Sequence, residues 1–459
     1  MTNQEVKNKL DSVGKGFCLA KWTQVTMHLG TGMTHSCHHP SPHKIPLDEL
    51  KDNPTALHNT KHKKAKRRQM LLNRKPSECN YCWNVEDNSS SFSDRVFKSS
   101  EQWSLPEFDK IANSDHEDNY NPKYVEVSFA NTCNFACAYC GPQYSSKWVE
   151  EIEKNGGYKE VNNYNDIEYF KNRNEFPYKH TEHNPYVEAF WKWWPDMFKD
   201  LHTFRITGGE PLLSKNTFKV LEYIQKNYEQ NSNISLAINT NLGIPDKLLE
   251  RFIDIAKDLC DNNKVRELIV FTSIEGDEKQ AEYVRYGLES NKFWDNVNKV
   301  LTELPKVTIN VMATFNALSV FTYDKVIDRV FELKKKYANG QRYWVSAVQL
   351  DTSYLRWPSF MSVRILEEEH KKLILESAKK ALYYGIKEFN YNNYGFSDIE
   401  IQKIKRTYDY AISNSVIYNI DKSRKEFFKF VKEYDKRRNL DFKNTFPELA
   451  NLQTQYEYE

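Results

Sequence analysis

The chain has 459 residues, with 65 basic and 63 acidic side chains and a formal net charge of +2. This length allows two or three domains, and the balanced charge gives no bulk electrostatic attraction to nucleic acid or to an anionic membrane. No apolar run is long enough to span a membrane, and residues 1–10 lack the apolar core of a signal peptide. We therefore expect a cytoplasmic protein whose partners include neither a membrane nor nucleic acid.

The N-terminal region contains four cysteines that can meet at one point. Cys79 and Cys82 form a C-x2-C turn, and residues 21–29, which follow Cys18, alternate like a strand that would return as a hairpin to Cys37. Four converging thiolates would make a closed tetrahedral metal site. Their spacing fits zinc and an iron–sulfur cluster equally well.

The rest of this region is polar and partly basic. We interpret His35, His38 and His39 as surface histidines or as supports for the nearby cysteine. Residues 61–68 form the only dense basic block, which is typical of the solvated face of a helix and otherwise of a docking patch for an acidic peptide or a phosphate group. Residues 84–119 are rich in Ser, Asn and Asp and predict a linker with at most one short helix.

Strands and helices alternate from about residue 120 to residue 355, which predicts an α/β fold of parallel βαβ units with the helices outside the sheet. The six predicted strands are 125–129, 203–207, 235–240, 267–274, 308–315 and 343–350. The predicted helices between them are 214–230, 245–259, 279–288, 292–303 and 322–337. Sites in parallel barrels lie at the carboxyl ends of the strands, so the loops after these strands are the candidates for function.

The loop after the first of these strands contains Cys133, Cys137 and Cys140 in a C-x3-C-x2-C spacing. Thiolates in so short a loop can point at a common centre, and thiolates are the ligands of iron–sulfur clusters. Three thiolates leave one iron of a four-iron cluster open to a substrate or cofactor, as at a catalytic metal with a vacant position. A structural zinc site is the alternative, but no Cys or His follows at the distance typical of a zinc finger.

A Gly-Gly-Glu turn follows the second strand. Gly208 and Gly209 allow the backbone to pass close to a ligand, and Glu210 adds a carboxylate. An ordinary strand-ending turn would contain the same residues, but this one comes one strand after the cysteine loop. Asn239 and Asn241 place two amides at the end of the third strand, where they could bond a ligand or cap the next helix.

The cysteine spacing, the aromatic Tyr139 before the last cysteine and the Gly-Gly-Glu turn together resemble the signature of radical S-adenosylmethionine (radical SAM) enzymes. The resemblance implies a partial (βα)6 TIM-like barrel over residues 120–355, which binds a 4Fe-4S cluster through the three cysteines and S-adenosyl-L-methionine at the open iron. It also implies reductive cleavage of this cofactor to a 5′-deoxyadenosyl radical, which abstracts hydrogen from a substrate. The implied electron donor is a protein such as flavodoxin or ferredoxin.

The same resemblance assigns cofactor contacts to the ends of the strands. It implies that Glu210 binds the amino group, that Ser273 and Glu275 contact the ribose and the carboxylate, and that Tyr139 lies against the adenine. The implied cofactor-binding residues are Tyr139, Gly208, Gly209, Glu210, Asn239, Asn241, Ser273 and Glu275. Helix capping is the structural alternative for the Ser273 and Glu275 pair, and the sequence identifies no catalytic side chain.

The four N-terminal cysteines resemble the auxiliary-cluster domain, called twitch or SPASM, of some radical SAM enzymes. In the subset that this chain resembles, the domain precedes the barrel, and Glu86 and Asp87 match the acidic residues after its C-x2-C. The resemblance implies a twitch-like domain over residues 1–115 with an auxiliary 4Fe-4S cluster, and zinc is the alternative. The chain departs from the common layout because no cysteine follows Cys260, which we interpret as a core residue.

The insertion at about residues 145–200 is too long for an ordinary strand–helix connection and is rich in aromatic residues. It is either a helical subdomain or a lid over a large substrate. Residues 356–459 predict a helical region that caps the barrel, and Arg205 and residues 351–353 are further candidates for substrate contact. We expect a peptide or protein substrate first. A small metabolite or nucleotide is the alternative, and a non-catalytic iron–sulfur or zinc scaffold is another.

Overall fold

The computed structural model describes residues 1–159, 161, 165–179, 181–338, 346–385, 394–413 and 419–457. Within these residues the chain forms a nine-stranded, mostly parallel sheet with many helices, so the predicted α/β class is confirmed. The strands are β1 Gln24–His28, β2 Met33–His35, β3 His43–Lys44, β4 Tyr124–Ser128, β5 Thr203–Thr207, β6 Ser235–Thr240, β7 Glu267–Ser273, β8 Thr308–Phe315 and β9 Val348–Tyr354.

The described helices fall into four groups along the chain. Those before β4 are α1 Asn3–Val13, α2 Ala20–Thr23, α3 Leu47–Asp52, α4 Lys61–Leu71, α5 Asn80–Asn88, α6 Asp94–Ser100 and α7 Phe108–Ala112. Those between β4 and β5 are α8 Ser146–Asn155, α9 Ile167–Asn172 and α10 Pro185–Asp200. Those between the later strands are α11 Lys215–Asn227, α12 Asp246–Asp261, α13 Glu278–Val284, α14 Ser290–Glu303 and α15 Tyr323–Lys336. Those after β9 are α16 Glu368–Tyr384, α17 Asp398–Ile412, α18 Ile420–Arg438, α19 Phe442–Thr445 and α20 Ala450–Glu457.

The strands lie in the order β3-β2-β1-β4-β5-β6-β7-β8-β9. From β4 to β9 each strand is parallel to the next one in the chain, with at least one helix in each connection. Right-handed crossovers that advance in one direction along a sheet keep the helices on one face. The N-terminal hairpin of β1 and β2 extends the same sheet, because β1 is parallel to β4 over its whole length.

Alternation along the strands gives the sheet two different faces. On one face, side chains such as Val125, Val127 and Ile206 are fully buried in the main apolar core. The opposite face carries half-buried, mainly polar side chains, which include Glu126, Arg205, Asn239, Phe271, Ser273, Met312 and Asp351. A sheet that packs on one face and stays partly open on the other can line a ligand site.

Five of the six predicted strands of the middle region agree with the structure to within one residue at each end, and α11 to α15 confirm the five predicted helices. The sixth strand is wrong in position, since β9 runs from Val348 to Tyr354 and pairs with β8 to its end. Residues 351–353 therefore lie within β9 and not after it, while residues 343–345 lie outside the described residues. The predicted strand 21–29 is wrong at its start, where α2 ends at Thr23.

The predicted linker at residues 84–119 is wrong as well. It contains the end of α5, then α6 and α7, and the Ser93 hydroxyl caps α6 by accepting a hydrogen bond from the Arg95 N–H group. Val96, Phe108 and Ile111 from these helices belong to a second, smaller apolar core in the N-terminal region. The polar composition concealed these helices because only a few of their side chains are buried.

The insertion and the C-terminal region are helical in their described residues. Phe190 and Trp194 of α10 are fully buried against Phe204 of β5, as a packed helical subdomain requires. In the C-terminal region, Glu400 of α17 accepts a hydrogen bond from the Leu350 N–H group at 2.8 Å and so covers the edge strand β9. The domain boundaries at residues 115, 120 and 355 stay predictions.

Candidate metal centres

The three-cysteine loop follows β4 and is held by hydrogen bonds to the start of α8. The Ser146 hydroxyl donates to the Cys133 carbonyl at 3.2 Å and accepts from the Cys133 N–H group at 3.1 Å. The Cys140 N–H group donates to the Cys137 carbonyl at 2.9 Å. These bonds make a compact turn in which all three cysteines are half-buried, free thiols.

The segment after α13 binds the other side of this loop. The N–H group of Ala136 donates to the Tyr286 carbonyl at 2.9 Å, and that of Ala138 donates to the Val284 carbonyl at 2.7 Å. The Trp148 indole N–H group of α8 adds a bond to the Cys137 carbonyl at 2.9 Å. Backbone groups of the loop are therefore paired on two sides, which limits the positions that the cysteines can adopt.

Helix α18 also reaches the loop, although sequence analysis gave the C-terminal region no part in the site. Arg438 donates to the Ala136 carbonyl at 2.8 Å and forms an ion pair with Glu151 at 2.7 Å. Tyr434 is fully buried beside it, and its hydroxyl donates to the Tyr283 carbonyl at 3.0 Å. The sequence of such a charged helix does not indicate this contact, because Arg438 reaches the cysteine loop only through the tertiary packing of α18.

The Gly-Gly-Glu turn lies directly against the backbone that precedes the cysteines. The Gly209 N–H group donates to the Ala130 carbonyl at 3.3 Å, and the Glu210 N–H group donates to the Thr132 carbonyl at 2.7 Å. A Cβ at Gly209 would lie 2.4 Å from the Thr132 oxygen, so only glycine permits this approach. Gly208 has a φ of +131°, which also favours glycine. Two motifs that are far apart in sequence thus meet at the carboxyl ends of β4 and β5.

The Glu210 carboxylate is buried between the ends of β5 and β6. It accepts hydrogen bonds from the Asn241 N–H group at 2.6 Å and the Leu212 N–H group at 2.9 Å. Burial raises the pKa of Glu210 to about 7, and these hydrogen bonds oppose the rise. The Asn241 side chain in turn donates to the Asn134 side chain at 2.9 Å, within the cysteine loop. The structure therefore brings Glu210, Asn241 and the cysteine loop together.

Glu275 and Tyr139 lie on the other side of the loop, around a buried arginine. Glu275 is 1% exposed and forms an ion pair with Arg285 at 2.7 Å. Burial raises the pKa of Glu275, and the Arg285 charge opposes the rise. The Arg285 guanidinium lies 5.6 Å from the centre of the Tyr139 ring and 4.0 Å from the Cys137 sulfur. Sequence analysis missed Arg285, which forms an ion pair with the Glu275 carboxylate and places a positive charge beside Cys137.

Asn239 and Ser273 lie on the half-buried face of the sheet, on the neighbouring strands β6 and β7. Asn239 accepts a hydrogen bond from Arg205 at 3.0 Å, and the Arg205 guanidinium lies 4.1 Å from the centre of the Phe271 ring. Arg205 and Asn239 therefore form one polar patch, and Ser273 lies on the neighbouring strand of the same face. Asp351 on the same face is paired with Lys403 of α17 at 2.8 Å.

The three cysteine sulfurs lie in a low-dielectric environment. Burial raises the pKa of Cys133 to about 12 and that of Cys140 well above its ordinary value. Burial also raises the pKa of Cys137, and the Arg285 charge opposes the rise. Thiols of this kind keep their protons near neutral pH unless a metal displaces them, so metal binding here would release protons.

The four N-terminal cysteines converge although they come from three separate segments. Cys18 precedes α2, Cys37 follows the hairpin, and Cys79 and Cys82 lie where α5 begins. All four line one small cavity. Burial raises the pKa of Cys18 to about 12, and the negative charges of the other three cysteines add to this rise. The predicted grouping of the four side chains therefore agrees with their positions.

Polar groups near these four sulfurs favour their ionised form. The N–H groups of Ala20, His39 and Arg95 lower the pKa values of Cys18, Cys37 and Cys82 against the effect of burial, and the Lys21 side chain does so for Cys79. The Ser99 hydroxyl also lies 4.0 Å from the Cys18 sulfur. Hydrogen bonds to sulfur are a feature of protein-bound thiolate clusters and help to set their potentials. This donor set fits an anionic metal–thiolate centre.

The sulfurs are spread more widely than a single zinc ion requires. Among the described residues, no three cysteine sulfurs all lie within 4.8 Å of one another. With Zn–S bonds of about 2.3 Å, a tetrahedral zinc site needs sulfurs roughly 3.8 Å apart. The wider spacing favours the larger iron–sulfur cluster over zinc at this site.

The N-terminal region contains buried cations that sequence analysis missed, and two of them, Lys21 and Arg95, line the four-cysteine cavity. The basic block does form a helix, α4, but its Lys63 and Arg67 point inward and are 1% and 0% exposed. Lys21 is also buried and pairs with Glu78. The interpretation of residues 61–68 as only a solvated face is therefore wrong for two of its cations. Positions four residues apart share one helix face, which is the signal that could have found this pair.

The histidines near Cys37 have partners of their own. His38 and His39 lie 3.1 Å and 2.6 Å from the Asp94 carboxylate. The Nδ1 atom of His35 lies 2.6 Å from the Cys37 carbonyl oxygen, and its other ring nitrogen lies 3.2 Å from that of His28. His38, His39 and Asp94 are themselves close enough together to hold a metal ion, so the interpretation of the three histidines as supports for the cysteine stays a prediction.

A cavity of about 330 Å³ lies between the N-terminal hairpin and the segments that flank the three-cysteine loop. On one side it is lined by residues of the N-terminal hairpin, such as His28 and Met33, and on the other by Ala130 and Asn131 just before the cysteine loop. Arg173 of the insertion also lines the cavity. Its volume is within the range of small-molecule and side-chain pockets, which run from about 300 to 1,000 Å³.

Comparison of the chain with family models, with curated proteins and with solved structures gives no match. Within the described residues, no helix has both the length and the apolar character needed to cross a membrane. The geometry of the two cysteine groups therefore carries the functional argument by itself.

Proposed function

We propose that this protein is a radical SAM enzyme and that strands β4 to β9 with their helices form its partial (βα)6 barrel. One observation carries the proposal. The three-cysteine loop and the Gly-Gly-Glu turn are joined by backbone hydrogen bonds at the carboxyl ends of β4 and β5, which is where sites of parallel barrels lie. The parallel strand order without a reversal supports the barrel.

The side chains present fit a 4Fe-4S cluster at the three-cysteine loop. Cys133, Cys137 and Cys140 supply three sulfur ligands, and the Phe135 N–H group already donates to the Cys133 sulfur at 3.4 Å. Arg285 adds a positive charge 4.0 Å from the Cys137 sulfur, which suits an anionic centre. When bound, the cluster would supply the electron that cleaves S-adenosyl-L-methionine into methionine and a 5′-deoxyadenosyl radical.

The surrounding residues would bind and orient the cofactor. Glu210 would accept the amino group of its methionyl part, and Asn241 holds that carboxylate in place through its N–H group. Tyr139 would lie against the adenine, with its ring fixed by Arg285. Gly208 and Gly209 keep the backbone close to the loop. Asn239, Ser273 and Arg205 line the open face of the sheet and would contact the cofactor or the substrate.

The cavity beside the N-terminal hairpin is the proposed substrate site. It is lined by side chains from the hairpin, from the segments on either side of the cysteine loop and from the insertion. We propose a peptide or protein side chain or backbone as the group that loses hydrogen, because three chain segments combine to form one extended wall. A small metabolite or nucleotide is the second candidate. A cytoplasmic location belongs to the same proposal, since all eight cysteines are free thiols.

The four-cysteine site is the proposed auxiliary 4Fe-4S site, with zinc as the alternative. The spacing of its sulfurs and the polar groups near them support a cluster. A cluster at this site could accept the electron that remains after hydrogen abstraction. Oxidation, crosslinking and epimerisation of the substrate are all compatible with this arrangement.

The decisive experiment is anaerobic reconstitution with iron and sulfide, followed by incubation with S-adenosyl-L-methionine and dithionite. We expect 5′-deoxyadenosine and methionine to accumulate, as measured by liquid chromatography. The Cys137→Ala variant should form neither product, whereas Cys260→Ala, which changes a buried thiol far from both groups along the chain, should behave as wild type. A reconstituted wild type that binds iron but never releases 5′-deoxyadenosine would favour a non-catalytic scaffold.

A further inference from the structure

Helix α18 carries a regular stripe of lysines. They lie at alternating intervals of three and four residues and are all exposed: Lys422, Lys425, Lys429, Lys432 and Lys436. Residues with this spacing share one face of an α-helix. The whole helix has eight basic and four acidic side chains, so the stripe is a positively charged surface. We call it the lysine stripe.

The C-terminal half of the lysine stripe forms one wall of a groove. The groove has a volume of about 630 Å³, and the opposite wall comes from the chain just after α8. Its basic lining residues are Lys159, Lys429, Lys432, Lys436 and Arg437. The rings of Tyr158 and Phe430 also line it, so the groove has both positive charge and aromatic surface. Among the described lining residues Glu433 is the single acidic one, and it pairs with Arg437 at 2.7 Å.

Aromatic side chains connect this groove to the three-cysteine loop. The Tyr158 ring lies 5.2 Å from that of Phe430 and 5.4 Å from that of Trp148, measured between centres. Trp148 is fully buried, and its indole N–H group donates to the Cys137 carbonyl at 2.9 Å. Two packed rings therefore separate the groove from a cysteine of the loop.

The buried face of α18 is fixed to the same loop. Arg438 donates to the Ala136 carbonyl, and Tyr434 packs against Trp148 with their ring centres 6.5 Å apart. One helix thus presents the lysine stripe to solvent and holds the cysteine loop with its other side. A partner that binds the stripe would therefore contact a different set of residues from those that line the proposed substrate cavity.

We propose that the lysine stripe and its groove are the docking surface for a small acidic one-electron carrier protein of the flavodoxin or ferredoxin type. The inference rests on the proposed function and names the partner that reduces the three-cysteine centre. In this step the carrier is oxidised by one electron and the centre is reduced by one electron, with no bond made or broken. Positive charge steers an acidic partner to the surface. The packed rings of Tyr158 and Trp148 then lie between the groove, where the electron arrives, and Cys137.

The test compares two triple variants with the same change of charge. One is Lys429→Glu, Lys432→Glu and Lys436→Glu in the lysine stripe. The matched control changes three exposed lysines on α11 and α12: Lys226→Glu, Lys247→Glu and Lys257→Glu. Binding of purified flavodoxin to each protein is measured by isothermal titration calorimetry at low and high salt. The rate of 5′-deoxyadenosine release is measured with reduced flavodoxin and, separately, with dithionite.

We expect the stripe variant to lose flavodoxin affinity and flavodoxin-driven cleavage by about 10-fold or more at low salt. Its dithionite-driven rate should equal that of wild type, because dithionite needs no docking surface. The control variant should keep both rates. A Gln version of the same three lysines should lie between wild type and the Glu version, and its thermal unfolding shows whether any loss reflects misfolding.

Three outcomes would overturn the inference or its basis. Equal flavodoxin binding by the stripe variant and the control would remove the proposed docking surface. Loss of binding to an acidic peptide or to DNA, with flavodoxin binding unchanged, would assign the stripe to a different partner. Absence of dithionite-driven cleavage in wild type would instead contradict the proposed function itself, so the two failures are distinguishable.

Discussion

The two cysteine groups are built in opposite ways. Three cysteines of one group lie within residues 133–140 and are held by backbone hydrogen bonds from neighbouring segments. The four cysteines of the other group come from segments between residues 18 and 82 and meet only because a hairpin and several helices bring them together. The first group needs a local loop, and the second needs a folded region.

This difference has a chemical counterpart. Under the proposed function, three ligands in one loop would leave a coordination position for a cofactor, and the buried carboxylate of Glu210 lies beside that loop. Four ligands around the N-terminal cavity would leave no such position. An open site is suited to chemistry on a bound molecule, and a closed site is suited to structure or to electron transfer. The predictions below separate the two roles.

The largest effect is expected when the local group is removed. In the variant with Cys133, Cys137 and Cys140 all changed to Ala, 5′-deoxyadenosine release should fall to background. The four-cysteine site should still bind about four irons per chain after anaerobic reconstitution, since none of its ligands has changed. Iron and sulfide analysis, together with metal analysis for zinc, measures this directly.

Metal content and folding together distinguish the possible results. Zinc in place of iron in the triple-alanine variant would make the N-terminal site structural and leave one cluster in the enzyme. Loss of all metal together with loss of folding would mean that the two groups are not independent. The Cys260→Ala protein is the control for the loss of a buried thiol, because Cys260 lies in α12.

The second prediction concerns the support of the three-cysteine loop. Arg438→Met leaves Glu151 without its closest ion-pair partner and removes the bond to the Ala136 carbonyl. Breaking a buried pair in this way costs about 3–5 kcal/mol, so we expect a clear drop in the urea midpoint and a loss of iron from this loop. Arg437→Met is the matched control, since that side chain bonds the Gly156 carbonyl and Glu433 and approaches Glu151 only to 3.8 Å. Equal losses of stability and iron in both variants would show that Arg438 has no special role in supporting the three-cysteine loop.

Sequence analysis was strongest where the signal is local. The loop of Cys133 to Cys140, the Gly-Gly-Glu turn and five of the strands carry their own spacing or alternation, and the structure places the loop and the turn in contact. The alternation was misleading near β9 because a strand ends where its pairing ends, and pairing with β8 is not visible in the sequence of β9.

Contacts between distant segments could not be predicted. Arg285, which directly follows α13, and Arg438, at the end of α18, approach the cysteine loop, and each is one of many charged residues in its segment. The inward direction of Lys63 and Arg67 depends on how α4 packs, which a run of basic residues does not reveal. Helices α6 and α7 escaped detection for a related reason, since few of their residues are buried.

The third prediction uses the raised pKa of Glu210. With a pKa of about 7 the carboxyl is mostly protonated at pH 6 and mostly ionised at pH 8, and only the ionised form attracts the ammonium group of the cofactor. Affinity for S-adenosyl-L-methionine should therefore rise with pH and be about 10-fold weaker at pH 6 than at pH 8. Equilibrium binding across this range measures the effect. Glu210→Gln should bind weakly with no such slope, and a slope that survives in this variant would assign it to another group.

The smallest effect is expected at the four-cysteine site, where Lys21 is the buried cation that bonds Cys79. Lys21→Met removes this hydrogen bond and one positive charge, while Glu78 keeps a contact with His62 at 2.8 Å. A reduced cluster carries more negative charge than an oxidised one, so losing a nearby cation should shift its reduction potential to a lower value. An electron-paramagnetic-resonance redox titration in the triple-alanine background measures this cluster alone. Lys21→Arg keeps the charge and should restore most of the shift, whereas an unchanged potential in Lys21→Met would mean that the lysine only fills space.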